Sequence, residues 1–244
     1  MKIVLLGTGG YHPNERRHTA CVMIPELGLI FDAGTSFFRV PQRMQTRELD
    51  IFLSHAHLDH IAGLTFFLVP MLKKQVDRVR VHSAPQYLEA VQKHLFSELV
   101  FPILPGFEYV ELADRIPVGG AGVLTHCRLN HPGGSLGYRI DWPGKSLAYI
   151  TDTIADRTYI DFIRGVDLLI HECNFPDGHL TLATESGHSY ATAVGETARE
   201  AGVGRLVVAH IDPQHPEDDP IGIETIRRYF PNVTLGEDLM ELDF

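Results

Sequence analysis

The sequence predicts an α/β fold: two β-sheets packed face to face with helices outside, in one domain spanning 1–244. Three observations carry this expectation. Short apolar runs of four to seven residues recur along the chain, rich in Val, Ile and Leu and bounded by Gly, Asp or Pro. Stretches with helical spacing lie between some of them, mainly in the later part, which gives an α+β flavour. The length of 244 residues, with 44% hydrophobic and 21% charged residues, suits one large globular domain.

The elements follow in order. Strands are expected at Lys2–Leu6, Ala20–Ile24, Leu29–Asp32, Ile51–Ser54 and Val79–His82, then at Val123–Leu129, Leu136–Ile140, Leu147–Ile150, Leu168–His171 and Leu206–Ala209. A helix is expected over Leu58–Lys74, apolar around most of its circumference, and another over Pro85–Leu99. Ser189–Ala201 places Ala191, Val194, Ala198 and Ala201 on one face, with Gly202 as its C-cap. Asp219 followed by Pro220 reads as a cap and first helical position, opening a helix to about Tyr229.

Charge and composition exclude several function classes. Lys and Arg number 21 against 31 Asp and Glu, a net charge of −10. Such a chain lacks the clustered cations that a non-specific nucleic-acid grip needs. A small charged substrate met by metal ions remains open. The three cysteines, Cys21, Cys127 and Cys173, form no C-x-x-C pair, so a reduced cytosolic setting is the simplest expectation. The first apolar run is too short for a signal-peptide core. The longest, Ile61 to Met71, carries Pro70 and falls short of the ~18 residues of a membrane span. Histidine, at 14 residues, is the most suggestive count, because imidazole is both metal ligand and neutral-pH proton carrier.

The chemistry begins directly after the apolar run Ile51–Ser54, in the string SHAHLDHIAGL. His55 and His57 stand two apart and share a side of an extended segment. Asp59 and His60 follow at a helix entrance. These groups can serve two adjacent cations, with imidazole suiting zinc, iron or manganese and the carboxylate reducing net charge.

This H-x-H-x-D-H pattern after a strand resembles the signature of the metallo-β-lactamase superfamily. The remaining positions of that pattern are filled by His131 in LNHPGG, Asp152 in LAYITDT and His210 in LVVAHID. The resemblance implies that His55, His57 and His131 hold one metal, that Asp59, His60 and His210 hold the other, and that Asp152 bridges them. It implies a four-layer αβ/βα sandwich over nearly the whole chain. Asp152 where true β-lactamases carry Cys, and His57 where flavodiiron proteins carry Glu, point to a dinuclear hydrolase.

Within the superfamily, Glu172 in DLLIHECNF and His188 in SGHSYATA resemble the ribonuclease Z-like branch. There a histidine opening this helix is oriented by a glutamate on the preceding strand. Taken alone, Glu172 could be a surface carboxylate and His188 an inert helix-start residue. Ribonuclease Z itself carries a long arm between the third histidine and the bridging aspartate. Here only a strand–turn–strand fits between His131 and Asp152, and the acidic IDPQHPEDDP departs from the usual continuation after the last histidine. Small phosphodiesterases of the branch lack the arm and keep the histidine.

The expected activity is therefore hydrolysis of a small phosphodiester, cyclic ones included, through a metal-bridging hydroxide. Asp59 is expected to ligate and to orient the attacking hydroxide, and His188, polarised by Glu172, to donate a hydrogen bond or proton to the phosphoryl or leaving oxygen. Zinc is the expected metal, with manganese and iron as alternatives. No membrane partner and no long nucleic acid are expected, and dimers are common in this branch. The competing activities are tRNA 3′-end processing and lactone or thioester hydrolysis; a non-catalytic metal-binding protein is the competing class. Asp32 in FDAG is either an outer support for a ligand or a simple turn residue. Arg16 and Arg17 are expected in a solvated loop, unless they reach a substrate phosphate. Phe37, Phe38, Phe66 and Phe67 are expected in the core, with Trp142 covering a hairpin turn.

Overall fold

The apolar runs form two seven-stranded mixed sheets, one in each of two compact units of a computed structural model that describes residues 1–215 and 217–244. The first unit comprises Met1–Ala113 and Glu237–Phe244, and the second Asp114–Gly236.

The first unit holds strands β1 (Lys2–Gly7), β2 (Cys21–Ile24), β3 (Leu29–Phe31), β4 (Glu48–Phe52), β5 (Arg78–Ser83) and β6 (Glu108–Glu111), with the C-terminal strand β14 (Met240–Asp243) added beside β1. From β14 to β3 neighbours run antiparallel, and from β3 to β6 they run parallel. Alternate residues set the buried face: Val4, Leu6, Cys21, Met23, Ile30, Leu49, Ile51, Val79 and Val81 join one apolar cluster. Phe37 and Val40 from the 3₁₀ segment Thr35–Gln42, and Leu64 and Phe67 from Ala62–Phe67, cover it.

The long helix expected at 58–74 is instead α1 (Leu58–Ile61), a 3₁₀ segment and α2 (Leu68–Leu72). Gly63 breaks it. Its N–H donates to the Ala33 carbonyl (2.8 Å) rather than along the helix, and a Cβ there would lie 2.2 Å from the Gly34 carbonyl. Phe66 is thereby turned outward, and Phe38 is also about half exposed. Only Phe37 and Phe67 of the four are core residues. The next helix runs as α3 (Pro85–Ala90) into a π turn at Val91–Leu95, stopping before Leu99, which is exposed.

The second unit holds β7 (Ile116–Val118), β8 (Gly122–Leu129), β9 (Ser135–Trp142), β10 (Lys145–Ile150), β11 (Leu168–Glu172), β12 (Arg205–Ala209) and β13 (Val233–Leu235) in spatial order 13-12-11-10-9-8-7. Strands β10 to β13 are parallel and β7 to β10 antiparallel. Helices α4 (Ile160–Ile163), α6 (Ala191–Ala201) and α7 (Ile223–Tyr229) bury apolar residues against one face; the short α5 (Leu180–Ser186) precedes α6. Ala191, Val194, Ala198 and Ala201 form the inward stripe of α6. Asp219 and Pro220 do not open α7: Gly222 holds the cap position and the helix starts after it, while both Asp219 carboxylate oxygens accept from the Ile223 N–H (2.8 and 2.9 Å). Trp142 lies over the β7–β8 turn, its Nε1–H donating to the Gly119 carbonyl (2.8 Å).

No helix among the described residues is long and apolar enough to cross a membrane.

Candidate metal centre

In parallel sheets, ligands gather beyond the C-terminal strand ends, where loops leave the ladder. Both units place their chemistry there. In the first, β3 and β4 are paired Phe31 to Phe52, so Asp32 and Ser54 emerge side by side. Asp32 is fully buried and is no simple turn residue. Its carboxylate accepts from the Ser54 N–H (2.7 Å) and hydroxyl (2.9 Å) and from His60 Nδ1 (2.9 Å). Ser54 Oγ also reaches His55 Nδ1 (3.0 Å). The chain turns at His57, the cap of α1, and brings the His55 ring to 4.4 Å from both the His57 and His60 rings. Asp59 Oδ2 lies 3.3 Å from His60 Nε2 and accepts the Tyr11 N–H at 2.8 Å. Gly34 makes this packing feasible, since a Cβ there would sit 2.3 Å from the Asp59 carbonyl.

In the second unit, β10, β11 and β12 end together, with Ile150 beside His171 and Glu172 beside Ala209. That register sets Asp152, Glu172 and His210 along one edge. Asp152 is buried and presents one oxygen to each of two imidazoles, Oδ1 to His210 Nε2 (3.2 Å) and Oδ2 to His131 Nε2 (3.6 Å). The His188 ring centre lies 5.0 Å from that of His131 and 5.2 Å from that of His210. Glu172, His188 and His210 form a further group with convergent donor atoms. Glu172 is buried rather than a surface carboxylate, and its oxygens accept from His188 Nδ1 (3.0 Å), Thr153 N–H (2.7 Å) and Ser189 N–H (3.2 Å).

The tautomers fit a cation. His131 Nδ1 lies 2.9 Å from the Gly187 carbonyl, which can only accept, so Nδ1 carries the hydrogen. His60 Nδ1 likewise faces the Asp32 carboxylate. In the neutral rings each Nε2 then holds a lone pair, and each Nε2 faces a carboxylate oxygen. Two acceptors at such separations need a positive charge shared between them, and an Nδ1 partner of this kind orients metal-ligating histidines. His171 does not fit a ligand role. Both of its nitrogens are engaged, with the Glu172 carbonyl (2.6 Å) and the Tyr159 hydroxyl (2.8 Å).

Several supports were not singled out in the sequence: Ser54, Thr151 on Asp152 Oδ1 (2.6 Å), Thr153, Gly187 and the Tyr11 backbone. Most flank a motif residue directly, which is the signal that could have found them. Asp32, Asp152, His210 and Tyr11 have φ between 42° and 58°, a region uncommon for non-glycine residues that exposed Lys74, Ala121 and Leu239 also occupy. Arg17 is neither solvated nor directed to a substrate. It is buried, bonded to Thr8 Oγ1 (2.6 Å) and paired with Glu237 (3.0 Å). Arg16 pairs with the same glutamate.

Known proteins share this plan. Ribonuclease Z of Methanosarcina acetivorans is 28% identical, covering 100% of this chain and 98% of its own length. Ribonuclease Z of Parasynechococcus marenigrum is 36% identical with the same coverage. Among solved structures, the metallo-β-lactamase fold protein YhfI from Bacillus subtilis superimposes with a TM-score of 0.82 at 21% identity, over 99% of both chains. Human tRNase Z, short form, gives 0.76 at 22%, over 100% of this chain and 99% of its own. A diphosphatase of the PhnP family gives 0.74 at 21%, over 100% and 97%. The ribonuclease names count against the expectation that long nucleic acid is excluded as a partner. The sequence profile of the β-lactamase superfamily domain matches residues 29–211. With that match over most of its length, and a fold shared end to end with these proteins, the chain belongs to the metallo-β-lactamase superfamily and is a hydrolase of it.

Proposed function

We propose that the chain is a phosphodiesterase with a dinuclear metal centre, built as a single domain over residues 1–244. His55, His57 and His131 hold one divalent metal; Asp59, His60 and His210 hold the other; Asp152 bridges. Zinc suits this N/O donor set, with manganese and iron as alternatives. Bound there, the metals supply Lewis acidity toward the phosphoryl oxygens and lower the pKa of a coordinated water.

The chain's own residues do the rest. Asp59, steadied by the Tyr11 N–H, ligates and orients the nucleophilic side. Asp32 and the Gly187 carbonyl keep His60 and His131 in the tautomer that presents Nε2. His188 donates a proton from Nε2 to the leaving oxygen, because its Nδ1–H is committed to Glu172. The observation that carries the reading is this His188–Glu172 pair. It is an extra imidazole beside His131 and His210, held by a buried carboxylate and not required as a metal ligand.

A small diester is the favoured substrate. The alignment to the M. acetivorans ribonuclease Z extends over 301 positions where this chain has 244 residues, a difference of 57. Between His131 and Asp152 this chain has only the β9–β10 hairpin, and its net charge is −10. Precursor tRNA is the second reading, favoured by the names of relatives that match the full chain. The test is metal analysis followed by hydrolysis of bis(p-nitrophenyl) phosphate and of a precursor tRNA by metal-replete protein. Turnover of the small diester with no tRNA cleavage is the expected result. Endonucleolytic release of the tRNA 3′ trailer would establish the second reading. Hydrolysis of lactones or thioesters with neither diester cleaved would overturn both.

A further inference from the structure

We propose that Tyr11 is an aromatic-stacking subsite for the nucleobase, or equivalent aromatic group, of the diester substrate. The inference rests on the phosphodiesterase reading for the reaction, and adds what the substrate carries. Tyr11 is 71% exposed, so its ring contributes little to the core. It nevertheless sits at φ 57°, a conformation that disfavours a bulky side chain. The Tyr11 N–H donates to Asp59 Oδ2 at 2.8 Å, which fixes the Tyr11 backbone against an expected metal ligand.

The loop that carries Tyr11 is held at its base. Gly9 N–H donates to the His18 carbonyl (2.9 Å), and Asn14 N–H to that of Arg17 (2.9 Å). Asn14 Oδ1 accepts from the Arg16 and Arg17 N–H groups (2.9 and 2.8 Å), and the Arg17 guanidinium is buried on Thr8 and Glu237. Next to Tyr11 the exposed His12 ring lies 5.1 Å away, its Nδ1 bonded to the Pro13 carbonyl (3.0 Å), which leaves Nε2 as an acceptor for a base N–H. An exposed ring on a braced loop, anchored to the carboxylate beside the reaction centre, has the attributes of a stacking platform. Stacking tolerates any base because every base has a π-face.

The test titrates metal-replete protein with uridine 5′-monophosphate and with inorganic phosphate. Both anions bring phosphate to the metals, and only one brings a base. The nucleotide should bind about tenfold more tightly than phosphate in the parent protein. Tyr11→Phe should keep that ratio, and Tyr11→Asn, which tolerates φ > 0 but removes the ring, should reduce it to about one. An unchanged ratio in Tyr11→Asn, or equal weakening of both anions, overturns the proposal. In parallel, the KM ratio for thymidine 5′-(p-nitrophenyl phosphate) against ethyl p-nitrophenyl phosphate should collapse in Tyr11→Asn. If neither ester is hydrolysed, the phosphodiesterase reading fails, while the binding ratio still decides the subsite.

Discussion

Glu172→Gln isolates the proposed general acid from the fold around it. The carboxylate takes three N–H donors: Thr153 and His188 Nδ1 on Oε1, and Ser189 on Oε2. A glutamine has one acceptor oxygen and one donor group. In its better orientation the oxygen keeps Thr153 and His188, and the amide NH₂ is pressed against the Ser189 N–H. Two buried donors then lack acceptors, at a cost of about 2 kcal/mol in stability. The catalytic effect is separate. A neutral amide stabilises the imidazolium of His188 far less than a carboxylate does, and a lost general acid costs about 10²–10⁴ in rate. That factor depends on the leaving group. A phenolate that departs readily needs little protonation, whereas an alkoxide needs it in the transition state. The assay is kcat/KM for an aryl diester and for an alkyl diester, with metal content and melting temperature recorded on the same samples. The expected result is full metal content, a modestly lowered melting temperature and a much larger rate loss on the alkyl leaving group. Equal losses on both substrates, or lost metal accounting for the whole effect, would refute the assignment of His188 as acid and Glu172 as its positioning residue.

Other outcomes follow from the same geometry. Asp32→Asn should weaken metal retention against a chelator by about 10–100-fold, because it loosens the Nδ1 anchor of His60; equilibrium dialysis with metal analysis reads this. Gly34→Ala should destabilise by at least ~1–3 kcal/mol, since its Cβ would lie 2.3 Å from the Asp59 carbonyl and 2.4 Å from Thr19 Oγ1; denaturant melts measure it. Burial raises the Asp50 pKa, but hydrogen bonds from His82 and Arg80 more than reverse this and bring it from 3.8 to about 2. A depressed folded-state value stabilises above the unfolded pKa, so about 2 kcal/mol present above pH 4 should be lost as pH falls through about 2. The acid limb of the stability–pH curve should be shallower in Asp50→Asn.

Local signals were legible where one chain segment carried the whole pattern. The apolar runs of β4 and β5 and the stripe from Ala191 to Ala201 are short-range, and the structure bears out each as an element, with the string from Ser54 to His60 leading from the end of β4 into α1. Where tertiary contact competes with local propensity, the reading failed. The helix expected at 58–74 is broken because Gly63 spends its N–H on the Ala33 carbonyl, a partner thirty residues away along the chain. Phe38 and Phe66 are outward because that break and the 3₁₀ segment before it rotate alternate residues to solvent. Arg17 looks like any loop arginine in sequence, and is buried only because Glu237, from the far end of the chain, folds back onto it.

The sequence alone therefore carried the H-x-H-x-D-H string after a strand, and through it the resemblance to the superfamily and the ligand assignments which that resemblance implies. It could do so because ligand type and spacing after a strand are local properties. Orientation was decided by the tertiary structure. Which ring nitrogen of His60 and His131 is presented depends on Asp32 and on the Gly187 carbonyl, which lie 28 and 56 positions away. Whether Glu172 is a surface carboxylate or a buried partner of His188 depends on parallel pairing of β11 with β10 and β12, which no local pattern encodes. Hydrogen-bond direction and burial arise only when distant backbone segments meet, so which neighbours support the expected ligands, and through which atoms, was decided in the folded chain.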